Sequence, residues 1–436
     1  MMTPAKLPLL SGALPDDVIA WWQAQPVHRD TFLRHVAVVA RHLPTARFVL
    51  NLCEDRYPFL VAFAAVGANG QTNLLPSSRA VLHLRSLTED YPESARIGDA
   101  DIESWLRTRS ADEAVPAVPE LPGEQIVAIA FTSGSTGRAK PNPKSWRELV
   151  GGARQAQSRF GFDRRTGIVA TVPPQHMYGL ETSIMAALVS GASVYGGRPF
   201  FPADVCAALA AIPAPRVLVT TPVHLQACVQ ADLRWPTPAF LISATAPLSQ
   251  ALAAQAETVF DAPVLEIYGC TEAGSIASRR TLDGDRWRLY DGFQLRGGAL
   301  SGGYLPEPVP LNDVVEACGE MEFKLLGRRE DLVNVAGKRS SLGYLNGQLN
   351  EIEGVMEGAF FLPEQIGTEV GRLTAVVVAP GLSEQQLLAA LSERLDPVFL
   401  PRPLIKVDAL PRNETGKVTR EGLQALVNRL HPSTTR

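Results

Sequence analysis

The residues Thr132-Ser133-Gly134-Ser135-Thr136-Gly137-Arg138-Ala139-Lys140 are the sharpest chemical feature of the chain. Glycines let backbone N–H groups turn toward one point, hydroxyls add donors, and Lys140 adds positive charge. Together these make an anion nest suited to a polyphosphate. The segment is not the common Gly-x-x-x-x-Gly-Lys-Ser/Thr loop, because Lys140 comes too late after Gly137. Read alone, the same residues also suit a polar turn that binds nothing.

Four further segments follow in order. They are Pro173-Pro174-Gln175-His176-Met177-Tyr178-Gly179; Tyr268-Gly269-Cys270-Thr271-Glu272; Asp313 with Gly327-Arg328-Arg329-Glu330-Asp331 and Gly337-Lys338-Arg339; and Leu410 to Arg420, which contains Thr415-Gly416-Lys417. Each has an ordinary reading. His176 suits a hydrogen-bonded core position, Glu272 an acid at a helix start, Asp313 a turn, and Lys417 an exposed turn. Cys270 reads as a small filler, since nothing nearby would activate its thiol.

With the first loop, these segments resemble the adenylate-forming superfamily: acyl-CoA synthetases, aryl-acid ligases, adenylation domains of peptide synthetases and beetle luciferases. The resemblance runs from about Phe131 to Arg420, and more weakly over Asn51 to Pro76. It implies ATP and Mg²⁺ as cofactors, with CoA or the phosphopantetheine of a carrier protein as acceptor. Thr132, Ser133, Gly134, Ser135, Thr136, Gly137 and Lys140 would cradle phosphates. Tyr268 would stack on adenine, Thr271 would contact the α-phosphate, and Glu272 would bind the metal. Asp313 and Arg328 would grip the ribose, although the usual Thr-Gly-Asp is here Leu311-Asn312-Asp313. His176, Tyr178, Gly179, Ser243, Ala244 and Gly269 would line the acid pocket. Lys417 would promote adenylation. Glu330 would be a hinge, and Gly337 and Arg339 would line a thiol channel.

The chemistry needs such parts. Adenylation presses a carboxylate against the α-phosphate, and both are anions. At ~4 Å and an effective dielectric of about 20, two unit charges repel by roughly 4 kcal/mol. That is about three decades in rate, so cations and oriented donors must cancel it. Lys417 and the nest fall in different parts of the chain, so domain closure is implied.

The elements that would position these residues alternate between strand and helix. Helical spacing spans Thr31 to Arg41 and Tyr57 to Val66, and Arg47 to Cys53 reads as a buried strand. Apolar runs at Ile126 to Phe131, Gly167 to Val172, Ala192 to Tyr195, Val217 to Thr221, Ala239 to Ser243 and Val264 to Tyr268 read as strands. Ser110 to Gln125, rich in proline and acid, reads as a surface loop or linker. The pattern predicts an α/β fold with parallel-rich sheets. A large adenylate-forming domain over 1–326 would precede a small, mobile α+β domain over 327–436. Strands at Leu373 to Val378 and Leu404 to Val407, and helices at Glu384 to Leu395 and Arg420 to Leu430, would build the second.

With 436 residues the chain is long for one core. It is 46% hydrophobic with a net charge of −4, which argues against a nucleic-acid partner. Its five cysteines form no paired motif, so reduced thiols and a cytoplasmic location are expected. No apolar stretch reaches membrane-spanning length. The oligomeric state is not legible.

The acid is less defined. Gly179 to Ser190 contains Glu181 but no aspartate, which disfavours an amino acid. The short chain resembles carrier-protein-loading ligases of bacterial aryl-polyene-type pigment pathways. That points to a small aromatic acid such as a hydroxybenzoate, and to an acyl carrier protein as partner. The alternatives are an aliphatic acyl-CoA synthetase and a non-catalytic nucleotide- or acid-binding member.

Overall fold

Runs such as Val217 to Val219 are apolar at every position, the pattern of strands covered on both faces. In the computed structural model they form the centre of a large sheet. The structure describes residues 5–108, 114–133, 139–328, 332–335, 338–363, 373–412 and 418–430. The chain divides into two compact units. One is Met1–Gly284 with Arg288–Gln294 and Ser301–Val309; the other is Pro310–Arg436 with Asp285–Trp287 and Leu295–Leu300.

In the first unit, Val18–Trp22, Ser193–Tyr195, Gly167–Ala170, Arg216–Thr220, Phe240–Ser243 and Val264–Cys270 run parallel, each beside the next. Gln25–His28 and Gly274–Arg280 flank this block antiparallel. The carboxyl ends of the central strands therefore share one edge, where open α/β sheets place their ligands. A second, five-stranded sheet runs in the order Ser94–Ile97, Phe48–Asn51, Thr72–Leu75, Ile126–Ser133, Ala139–Ser145.

The helix Arg56–Ala68 touches strands of both sheets. It is apolar all round and buried from Arg56 to Gly67, as a helix between two sheets must be. The helix Trp146–Phe160 has a capping box. The Ser145 side chain accepts from the Glu148 amide, and Glu148 accepts from the Ser145 amide at 2.8 Å. Its apolar stripe carries Gly151 and Gly152, and these let the Tyr304 ring lie against the backbone. A Cβ at Gly151 would stand 2.4 Å from Tyr304 Cβ.

Two expectations change. Glu120–Pro122, inside the predicted linker, pairs with Lys6–Pro8, because Leu121 is buried there. The second unit takes in Asp285–Trp287, Leu295–Leu300 and all of the chain from Pro310, and so reaches ahead of the Gly327 break read from the sequence. The reason is a hairpin: Asp313–Ala317 pairs with Glu322–Arg328, and the latter packs on the helix Leu342–Asn350. The rest of that unit is small and α+β. Thr374–Val378 runs between Glu357–Phe361 and Leu404–Lys406, with the helices Glu384–Ser392 and Arg420–Leu430. Leu349, Phe360, Val377 and Leu391 are among its core residues. Among the described residues, no helix is long and apolar enough to cross a membrane.

Candidate functional site

The segment expected to bind phosphate is described only at its two ends, each on a strand. Ile126–Ser133 and Ala139–Ser145 are antiparallel, with Thr132 opposite Lys140. Gly134, Ser135, Thr136 and Gly137 lie outside the described residues, as does the side chain of Ser133. Strand alternation puts Lys140, Asn142 and Lys144 on one face. Lys140 is exposed, whereas Lys144 is buried.

A second hairpin meets this face. Val264–Cys270 pairs with Gly274–Arg280, with a register shift between Tyr268 and Gly269, and Cys270 lies opposite Gly274. Thr271, Glu272 and Ala273 are therefore the turn. Two glycines make it possible. A Cβ on Gly269 would fall 2.2 Å from the Gly274 carbonyl oxygen, and Gly274 has φ +76°. Tyr268, Thr271 and Glu272 are half-buried, so each retains an accessible side.

The two hairpins touch at Glu272. Lys140 Nζ lies 3.5 Å from Glu272 Oε1, and Lys144 Nζ donates to the Glu272 carbonyl at 2.5 Å. One lysine thus faces the carboxylate and the other holds the backbone of the same residue. Beneath the turn lies Glu181, 5% exposed, on the π-helical turn Leu180–Met185. Its Oε2 accepts from Ser275 Oγ at 2.5 Å and from the Ser275 amide at 3.1 Å. Burial pushes the Glu181 carboxyl up from the usual range, opposed by the Ser275 hydrogen bonds and the Lys144 charge. Tyr304 Oη donates to the Ala273 carbonyl at 2.7 Å, with the Ser275 carbonyl at 3.2 Å. The Cys270 thiol is pushed up to about 11, chiefly by burial, which fits a packing residue rather than a nucleophile.

The residues expected to line an acid pocket lie toward the carboxyl edge of the large sheet. Tyr178 Oη donates to the Ile242 carbonyl at 2.9 Å, with the Thr220 carbonyl at 3.1 Å. Its hydroxyl therefore ties two strand ends together, and only its half-buried ring remains to line a pocket. A Cβ on Gly179 would stand 2.1 Å from the Pro173 carbonyl oxygen, so this glycine permits the tight turn that carries half-buried His176. Ser243 and Ala244 are buried, and Ser243 Oγ finds no hydrogen-bond partner among the described residues. Arg56, the first residue of the helix between the two sheets, braces this edge. Its guanidinium donates to Ser183 Oγ and the Ala170 carbonyl, both at 2.7 Å, and to the Val172 carbonyl at 2.8 Å.

In the second unit the hairpin sets Asp313 directly opposite Arg328. Glu330, Gly337 and Lys417 lie outside the described residues, and Arg339 is described by its backbone alone, opposite Asn334. Sequence reasoning missed Lys144, Ser275, Tyr304 and Arg56, and it weighed Glu181 only as the absence of an aspartate. The even spacing of Lys140, Asn142 and Lys144 along a strand was the one signal available for any of them.

Among the described residues, no cluster of three or more His, Cys, Asp or Glu side chains could hold a metal ion. Glu272 still fits Mg²⁺, which is commonly held by one or two carboxylates together with substrate phosphates. A half-exposed carboxylate on a turn, with Lys140 facing it, suits that role.

The model of the AMP-binding enzyme family matches residues 43–297. The chain is 28% identical over 406 residues to the 3-(7a-methyl-1,5-dioxo-octahydro-1H-inden-4-yl)propanoyl:CoA ligase of Rhodococcus jostii, covering 81% of this chain and 78% of that protein. It is 29% identical over 304 residues to the 4-coumarate–CoA ligase of Rhodobacter capsulatus, covering 67% of this chain and 75% of that one. The solved structure of ATP-bound MatB from Rhodopseudomonas palustris shares the fold, with a TM-score of 0.81 at 20% identity over 96% of this chain and 97% of that one.

Proposed function

The chain belongs to the AMP-binding enzyme family, and on that premise we propose that it activates a small aromatic carboxylic acid with ATP and passes the acyl group to a thiol. The observation that carries this reading is the meeting of two hairpins at Glu272, with Lys140 Nζ 3.5 Å from its carboxylate. Anion donors, a metal-binding carboxylate and an aromatic ring for a base then converge on one edge of the first unit.

In the first half-reaction the acid's carboxylate oxygen attacks the α-phosphorus of ATP. An O–P bond forms, the α–β phosphoanhydride breaks, and pyrophosphate leaves. Thr132 to Gly137 and Lys140 hold the polyphosphate, Thr271 orients the α-phosphate, and Tyr268 stacks on adenine. Glu272 would hold Mg²⁺, which would supply charge neutralisation of the pyrophosphate. Asp313 and Arg328 hold the ribose. Lys417 brings a point charge between carboxylate and phosphate without moving a proton. In the second half-reaction a thiol sulfur attacks the acyl carbon, loses its proton, and AMP leaves. CoA, or the phosphopantetheine of an acyl carrier protein, supplies that thiol past Gly337 and Arg339, and Glu330 is the hinge between the two steps.

Three features support an aromatic acid. Tyr178 offers a ring face with its hydroxyl already engaged, Ser243 Oγ is buried with no partner among the described residues, and one relative is named for 4-coumarate. His176, Gly179, Ala244 and Gly269 complete the wall. The test is ATP- and Mg²⁺-dependent pyrophosphate release against hydroxybenzoates, cinnamates, fatty acids and amino acids, with hydroxylamine to trap the adenylate. Release with one aromatic class is expected. Release with fatty acids alone would replace the substrate assignment, and bound ATP without release for any acid would replace the catalytic one.

A further inference from the structure

The turn that carries Thr271 and Glu272 is held from below by side chains of three separate segments. Lys144 takes the Glu272 carbonyl, Tyr304 takes the Ala273 and Ser275 carbonyls, and Glu181 takes the Ser275 amide and hydroxyl. A hairpin turn at a sheet edge ordinarily gives its backbone groups to water. Here they are spent on buried protein groups, while the Thr271 and Glu272 side chains keep an open face.

Glu181 is the unusual member. A buried carboxylate is costly unless its oxygens are hydrogen-bonded, and this one is satisfied by the turn itself. The fit has no slack. A Cβ on Gly274 would stand 2.3 Å from Glu181 Oε1 and 2.8 Å from Tyr304 Oη. Lys144, buried and bonded to Glu272, supplies the compensating charge. The π-helical turn that carries Glu181 directly follows Met177–Gly179. Glu181 therefore ties the segment that bears His176 to the turn that bears Glu272.

We propose that Glu181 is a positioning residue for the nucleotide, an inference that rests on the adenylation reading above. Its buried carboxylate fixes the 271–275 turn, so that Thr271 and Glu272 meet MgATP without first being ordered. The prediction separates the two substrates. Loosening the turn weakens MgATP most, because the turn carries Thr271 and Glu272. The acid is affected less, because Tyr178, anchored by its own bonds to the Thr220 and Ile242 carbonyls, and the Ser243–Ala244 strand end stay in place.

The experiment measures MgATP binding by calorimetry and the KM values for MgATP and acid in pyrophosphate release, using wild type, Glu181→Gln and Ser275→Ala. Near-UV circular dichroism checks the fold. Glu181→Gln is expected to raise the MgATP Kd and KM about tenfold, the scale of one charge-assisted hydrogen bond. Ser275→Ala, which keeps the amide bond, is expected to raise them about threefold. The acid KM stays within about twofold. MgATP constants unchanged in both folded variants would overturn the proposal, as would an equal rise in the two KM values. If Glu181→Gln does not fold, Ser275→Ala decides by the same criteria. A wild type that binds MgATP without releasing pyrophosphate defeats the adenylation reading yet leaves the Kd ratios to judge Glu181. A wild type that binds no MgATP defeats both.

Discussion

Gly274→Ala puts the packing beneath the candidate site to a quantitative test. Two costs add. The first is conformational: at φ +76° an L-residue pays about 1–2 kcal/mol. The second is steric. The new methyl would stand 2.3 Å from Oε1 of buried Glu181 and 2.8 Å from Oη of half-buried Tyr304, whose hydrogen bonds leave them little room to retreat. Overpacking of this kind costs about 1–3 kcal/mol. The sum, ~2–5 kcal/mol, corresponds to a fall in Tm of roughly 5–15 °C. Gly161→Ala isolates the second cost, because Gly161 has φ +70° and nothing within 4 Å of an added Cβ. Thermal melts of the two variants, followed by circular dichroism, should therefore differ by about 1–3 kcal/mol. MgATP affinity should fall for Gly274→Ala alone, since only that methyl displaces the Glu272 turn. Equal melting temperatures for the two variants would refute the tight contact between Glu181 and the turn.

Other expectations follow from single contacts. Arg56→Lys keeps the charge but cannot span Ser183, Ala170 and Val172; a loss of about 2–4 kcal/mol is expected in urea unfolding, and a change below ~0.5 kcal/mol would contradict it. Glu257 is held below its ordinary value of 4.5, first by the Arg280 side-chain hydrogen bonds at 3.0 and 2.6 Å. The unfolded chain therefore binds the extra proton as pH falls, so this stabilisation is present above about 4.5 and is lost as pH drops through the folded value. Glu257→Gln should cost about 1–3 kcal/mol at neutral pH and progressively less in acid, and a penalty independent of pH would count against the pairing. Glu272→Ala should raise the Mg²⁺ concentration for half-maximal pyrophosphate release about tenfold, and an unchanged titration would remove the metal role. Lys417→Ala should lower adenylation by about two decades while sparing ATP binding, and normal release would end that assignment.

What could be read from the chain by itself is what lies contiguous along it. The nest residues from Thr132 to Lys140 and the turn from Tyr268 to Glu272 each carry their chemistry within a few positions. Apolar runs such as Ile168 to Ala170 and Val217 to Val219 read as buried strands, because they are short and rich in β-branched residues and these signals are local. The helices at Arg29–His42 and Arg56–Ala68 match their spacing within a few residues for the same reason.

The tertiary structure alone decided which of these pieces meet. Lys140 and Glu272 are 132 residues apart in sequence and 3.5 Å apart in space. Nothing in the composition of Glu181 separates a solvated acid from a carboxylate clamped under a turn, because burial belongs to the packed fold and not to the residue type. The same holds for Tyr178, whose hydroxyl suits a ligand until two strand ends claim it. It holds too for residues from Pro310 to Gly327, whose hairpin packs against a helix that comes later in the chain. Sequence carries the donors and the elements; long-range packing chooses their partners, since contact energy depends on distance through space.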